Sequence, residues 1–174
     1  QYGADSMRLY EMFMGPLEAT KPWNTRDVPG VHRFLRRAWR MIVGDEDGKG
    51  LVGGAGPQPA PEVEKALHKL IRKVGEDIEA MKFNTAIAAM MEFVNVVYKA
   101  GAIAPSQAER FVLVLAPFAP HIAEELWQHL GHSESLAYET WPAYDPALIA
   151  EDTVELAVQI NGKVRSRITI DASA

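Results

Sequence analysis

Through most of the chain the apolar side chains recur at the spacing of one helical face. Between Val31 and Ile42 they are Val31, Phe34, Leu35, Ala38, Trp39 and Ile42. The steps of three and one keep a single stripe of an α-helix turned toward a core. The same period runs through Val63, Ala66, Leu67, Leu70, Ile71, Val74, Ile78 and Met81. Phe83 follows, with Asn84 expected to cap a further helix carrying Ile87, Met90, Met91, Val94, Val97 and Tyr98 and stopped at Gly101. Pro105 and Ser106 open another, with Ala108, Phe111, Val112 and Leu115 inward, and Pro117 and Pro120 break it. A last helix is expected over His121–Leu130, ending at Gly131, and a short one near the start over Ala4–Met14.

After residue 150 the period changes to two. Val154, Leu156, Val158 and Ile160 alternate with Glu155, Ala157 and Gln159, which is a strand pattern. Asn161-Gly162 is a strong hairpin signal because both positions favour positive φ, and Val164, Ile168 and Ile170 lie in the return strand. A lone hairpin is marginal in water, so this tail is expected to dock or to open a second domain. The fold class that follows is mainly α: an antiparallel bundle of about four to five helices with a C-terminal β-hairpin. Gly44–Ala60 interrupts the pattern with six of the thirteen glycines and two prolines, and reads as a flexible loop or insertion. The organisation expected is residues 1–22 as a connecting segment, 23–143 as the bundle with its loop at 44–60, and 153–174 as the hairpin.

Composition narrows the chemistry. The chain has 174 residues, 48% hydrophobic and 24% charged, with a formal net charge of -5. That charge argues against nucleic-acid binding by the whole surface but leaves room for a local basic face. No cysteine is present, which removes disulfides, thiol nucleophiles and Cys-type zinc sites and fits a reducing compartment. No apolar run approaches the length that spans a bilayer. The first residues are charged where a signal peptide would be apolar and do not begin with Met, so a piece of a longer protein is expected.

Against this acidic background, Arg33, Arg36, Arg37 and Arg40 fall within roughly 100° of helical arc, opposite the apolar stripe. No acid lies between Asp27 and Asp45, and like charges at these spacings cost a few tenths of a kcal/mol per pair. The stripe reads either as a solvated face or as a grip for an RNA or DNA backbone, since guanidinium groups bond phosphate oxygens in pairs. A second basic face holds Lys65, Lys69, Arg72 and Lys73 with His68 at its edge, diluted by Glu62 and Glu76. Surface pairing accounts for much of it. His121, Glu125 and His129 share a helical face with His132 nearby, but nothing in the sequence completes a metal site. Ser6, Ser106 and Ser133 have no visible base, and neither GADS nor GGAGP has the spacing of a phosphate loop. No catalytic constellation emerges. Trp39, Phe93, Tyr98, Phe111 and Trp127 are expected in the core rather than as a base-stacking platform, and Trp23 and Trp141 at its ends. A protein-binding scaffold is the competing reading.

Four segments resemble a known family. YGADSMRLYEMFMGPLE, Tyr2–Glu18, is similar to the stretch that follows the KMSKS loop in bacterial leucyl-tRNA synthetases. FNTAIAAMMEFVN, Phe83–Asn95, and LAPFAPHIAEELW, Leu115–Trp127, resemble the helical anticodon-binding domain of class I synthetases. VQINGKVRSRITI, Val158–Ile170, resembles the hairpin that begins the leucyl enzyme's C-terminal domain. The FMGPLE and INGKVR pieces favour leucine over isoleucine, valine or methionine.

The resemblance implies a cytoplasmic enzyme that activates leucine with ATP and Mg and transfers it to tRNA(Leu). Its HIGH and KMSKS signatures and editing domain are not in this sequence, so this segment is expected to be inactive alone, to need no cofactor of its own and to dock tRNA beside the rest of the synthetase. It would meet the inner corner and D-stem side of the tRNA with little reading of anticodon bases. The expected tRNA-binding residues are Arg33, Arg36, Arg37, Arg40, Lys69, Arg72, Lys73, Lys163 and Arg165. Lys163, Arg165 and Arg167 are expected to alternate on one face of the hairpin's second strand.

Overall fold

The computed structural model describes residues 2–20, 22–24, 26–45, 48–53, 60–150, 153–160 and 163–171, the last two as backbone only. Two compact units are present, Gln1–Tyr144 and Asp145–Ala174.

Among its described residues the first unit has six helices: α1 Ala4–Phe13, α2 Val28–Ile42, α3 Pro61–Glu79, α4 Phe83–Ala100, α5 Pro105–Leu115 and α6 Pro120–His129. A 3-10 turn at Leu136–Tyr138 follows. The 3.6-residue period fixes which face of each helix is buried. On α2 the buried residues are Val28, Val31, Phe34, Leu35, Ala38, Met41 and Ile42. On α3 they include Val63, Leu67, Leu70, Ile71 and Val74, and on α4 Ile87, Met90, Phe93, Val94 and Val97. These stripes meet in one core with Leu9, Phe111, Leu115, Phe118 and Leu126. Phe93 and Phe111 stack with ring centroids 5.3 Å apart. The helix α1, at the start of the segment expected to be connecting, packs within this unit against α2, α4 and α6.

α3 and α4 share the largest helix interface and are joined by three residues. The link closes by a Schellman motif: Met81 N–H donates to Ile78 O at 3.1 Å and Lys82 N–H to Asp77 O at 2.7 Å. The left-handed position falls on Met81, φ 56°, where glycine is usual. Asn84 does not cap α4. The helix begins at Phe83, no side chain caps it, and Thr85 Oγ1 instead donates to Lys82 O at 3.0 Å. At its far end Gly101, φ 77°, stops α4 in the expected way.

Part of the glycine-rich segment is tied down. Leu51 N–H donates to Met41 O at 2.8 Å, Ile103 N–H to Leu51 O at 3.0 Å, and Gly53 N–H to Ile103 O at 3.1 Å. Val52 makes a parallel bridge to Ile103, and Leu51 and Val52 pack on the core. The two apolar residues in an otherwise glycine-rich stretch are what anchor it. Residues 46, 47 and 54–59 of the expected loop lie outside the described residues.

In the second unit Asp145 caps α7, Pro146–Ile149, by accepting Ala147 N–H at 2.9 Å. Two antiparallel strands follow, β1 Thr153–Ile160 and β2 Lys163–Asp171. Asn161 and Gly162, the expected turn, lie outside the described residues.

Candidate nucleic-acid interface

The arginines of α2 stand on the side of the helix that its apolar stripe leaves to solvent. Arg33, Arg36 and Arg40 are exposed and Arg37 is half-buried. Among the described residues Arg33 and Arg36 have no ion-pair or hydrogen-bond partner for their guanidinium groups. Arg40 Nε meets Asp45 Oδ1 at 2.6 Å, with both side chains well exposed. An exposed pair of this kind contributes about 0–1 kcal/mol and yields to a better anion. Arg37 is held more firmly. It donates to Asn95 Oδ1 at 2.7 Å, and its guanidinium carbon lies 4.8 Å from the centre of the Tyr98 ring. Tyr98 in turn donates its hydroxyl to Arg37 O at 3.0 Å. Burial pushes the Tyr98 hydroxyl up from its ordinary pKa, outweighing the opposing charges of Arg37 and Arg40, with Asp45 adding to the rise.

The second basic face is not equivalent. Lys73 Nζ lies 2.6 and 2.7 Å from the two carboxylate oxygens of Asp77, whose side chain is only 5% exposed. Thr85 donates to the same carboxylate at 2.7 Å. Lys73 therefore neutralises a buried acid that joins α3 to α4. Arg72 sits 3.9 Å from Glu76 in a loose surface pair, and Lys69 is half-buried. For Lys163 and Arg165 only the backbone is described. Val158 pairs with Ser166 but Gln159 with Val164, so Arg165 has no cross-strand partner. The bulge breaks the two-residue alternation on which a shared face for Lys163, Arg165 and Arg167 rests.

The histidines that share a face in sequence go to separate acids. Asp5 reaches from α1 to the start of α6: Oδ2 accepts Ile122 N–H at 2.7 Å and Oδ1 accepts from His121 Nδ1 at 2.8 Å. His129 lies 3.8 Å from Glu125 and edge-on to Trp39. His132 stacks on Trp127 with centroids 3.6 Å apart and meets Glu109 at 3.1 Å. Among the described residues no three His, Asp or Glu side chains come together as a metal site.

Two further groupings escaped the sequence. Glu64 on α3 accepts from Arg110 Nη2 at 2.7 Å, Gln107 Nε2 at 2.8 Å and the His68 ring at 2.9 Å. Burial raises the pKa of this carboxyl, but the hydrogen bonds from Gln107, Arg110 and His68 outweigh it and hold the group below its ordinary value. Arg8 on α1 donates to Pro117 O at 2.9 Å. His68 is a neighbour of Glu64 four residues along α3, but Arg110 and Pro117 gave no local signal, because they lie 46 and 109 residues from their partners. A cavity of about 460 Å³ opens beside Arg36, and one of about 330 Å³ beside both Arg36 and Arg40.

Comparison with known proteins places the chain in a family. The family model described as the anticodon-binding domain of tRNA ligase matches residues 62–174. A leucine–tRNA ligase of Rhodopirellula baltica is 51% identical over 99% of this chain and 18% of its own length. Leucine–tRNA ligase 1 of Rhizobium johnstonii is 53% identical over 96% of this chain and 20% of its own length. The chain thus spans about a fifth of the relatives it matches. A crystal structure of the ternary LeuRS–tRNA–LeuAMS complex from Agrobacterium radiobacter superposes with a TM-score of 0.76 at 31% identity, covering 99% of this chain and 23% of that one. No described helix is long and apolar enough to cross a membrane. Nearly the whole chain aligns with one stretch of leucine–tRNA ligases, and it belongs to the family of anticodon-binding domains of tRNA ligases.

Proposed function

We propose that this chain is the tRNA-docking part of a leucine–tRNA ligase, a cytoplasmic enzyme that charges tRNA(Leu) with leucine. Its ATP and Mg would be held in a catalytic part outside these residues, and the two C-terminal strands would open the ligase's C-terminal domain, completing a class I anticodon-binding architecture. The observation that carries the reading is the outer face of α2. Arg33 and Arg36 offer guanidinium groups with no counter-ion among the described residues, and Arg40 holds only an exposed, exchangeable one. On a chain of net charge -5, such a ridge is a local basic strip suited to a sugar–phosphate backbone.

Backbone contacts of this kind position an RNA without reading its bases. Arg37, fixed by Asn95 and Tyr98, would act as the rigid end of the ridge. Lys69 and Arg72 could add weaker contacts from α3, whereas Lys73 is occupied by Asp77. In the complete ligase, replacing Arg33, Arg36 and Arg40 together by Ala should weaken tRNA binding at least ten-fold. Leucine-dependent pyrophosphate exchange, which needs no tRNA, should stay close to normal. Unchanged aminoacylation kinetics in the triple variant would refute the assignment.

A further inference from the structure

The cavity beside Arg36 holds more than a phosphate grip. It is lined by Tyr2 and Ser6 at the start of α1, by His32, Arg36 and Trp39 on α2, and by His121 on α6. Two of these groups are fixed imidazoles. His121 gives its Nδ1 to Asp5 at 2.8 Å, and a carboxylate accepts only, so Nδ1 carries the proton and Nε2 of the neutral ring is an acceptor. His32 has its Nδ1 engaged by Ser6 Oγ at 3.1 Å. In both rings Nε2 has no hydrogen-bond partner among the described residues. The His121 side chain is 76% exposed, so its Nε2 is reachable. Tyr2 packs edge-on to His32 with centroids 5.3 Å apart and keeps part of its ring exposed. Arg36 completes the set with a cation that has no counter-ion among the described residues and is also part of the ridge.

We propose that this cavity is a ribonucleotide subsite that takes one unpaired nucleotide of the docked RNA. The inference rests on the docking reading above and deepens it. The base would lie against the aromatic wall of Tyr2 and Trp39, its phosphate on Arg36, and a ribose 2′-hydroxyl would donate to His121 Nε2. The volume of about 460 Å³ suits a group of that size. Stacking plus a 2′-hydroxyl contact is how proteins hold single RNA residues and distinguish them from DNA. Continuity with the ridge favours RNA over a protein segment as occupant, because Arg36 serves both.

The test joins ring NMR to binding. Histidine ring signals of the 174-residue chain are assigned with single His→Gln variants and followed as unmodified tRNA(Leu) transcript is added at low salt. His32 and His121 should shift, while His68, buried at the Glu64 network, should not. In parallel, His121→Ala should weaken tRNA binding about five-fold and leave the slope of log affinity against log salt unchanged. Arg36→Ala should lower that slope by about one phosphate. If tRNA binds and Arg36→Ala weakens it, yet the two ring signals stay still and His121→Ala binds as the parent does, the subsite is overturned and the docking face stands. If the chain retains no tRNA at any salt, the docking reading fails and the subsite falls with it.

Discussion

Asp5 is the residue whose loss should reveal most about how the bundle is held. Its side chain leaves α1, lies almost wholly buried, and caps α6 from 117 residues away by accepting Ile122 N–H at 2.7 Å. A hydrogen bond to a charged, buried carboxylate contributes about 1.5–3 kcal/mol, and an N-cap typically about 1. These describe the same bond and are not added. The hydrogen bond from His121 comes from an exposed ring and contributes at most about 0.5 kcal/mol. Asp5→Ala should therefore cost about 2–3 kcal/mol. Asp5→Asn keeps an acceptor but loses the charge at the helix N-terminus, for a cost of about 1 kcal/mol. His121→Ala should cost under about 0.5 kcal/mol. For a chain of this size each kcal/mol lowers Tm by about 2–4 °C, so Asp5→Ala should melt roughly 4–12 °C lower in a scan followed by circular dichroism. A loss in Asp5→Ala of less than about 0.5 kcal/mol, or a His121→Ala variant as unstable as Asp5→Ala, would show that the cap does not hold α1 to α6.

Three other outcomes follow from the same contacts. Lys73→Ala should destabilise the chain by about 1–2 kcal/mol in urea unfolding, because Asp77 is left buried with Thr85 as its remaining side-chain donor among the described residues, and should leave tRNA retention unchanged at equal folded concentration. Met81→Gly should raise stability by about 1 kcal/mol, read as a higher urea midpoint, since an exposed L-residue is relieved of a left-handed backbone. Glu64 binds its proton less readily folded than unfolded, so its contribution is complete above its ordinary pKa of 4.5 and is lost as pH falls through the lower folded value. Unfolding free energy should drop over that acidic window, with a shallower drop in Glu64→Gln.

What the sequence disclosed was what depends on period. The stripes of α2, α3 and α4 could be read directly, because burial of one helical face imposes its spacing on every turn. The stop at Gly101 was equally legible, as it rests on backbone geometry rather than on a partner. Pairings across the bundle were not legible. Nothing near Asp5 signals Ile122, and nothing near Glu64 signals Arg110, since such contacts exist only once the helices are packed. The arginine ridge was visible as a charge pattern, but the difference between Arg36, which has no partner among the described residues, held Arg37 and paired Arg40 required α4 and the turn at Asp45. Lys73 looked like its neighbours Lys69 and Arg72 until Asp77 was seen to be buried. The glycine-rich stretch misled by composition: Leu51 and Val52 find a strand-like partner in Ile103, some fifty residues on.

The most direct measurement of the central claim is a filter-binding titration of tRNA(Leu) against the chain across a salt series, with the parent and the Arg33→Ala, Arg36→Ala, Arg40→Ala triple variant side by side. Each phosphate contact contributes roughly 0.7–0.9 to the slope of log affinity against log salt. The parent should bind with a steep negative slope, and the triple variant should bind at least ten-fold more weakly with a slope shallower by about two to three. Equal slopes for the two proteins would contradict a guanidinium ridge gripping the RNA backbone.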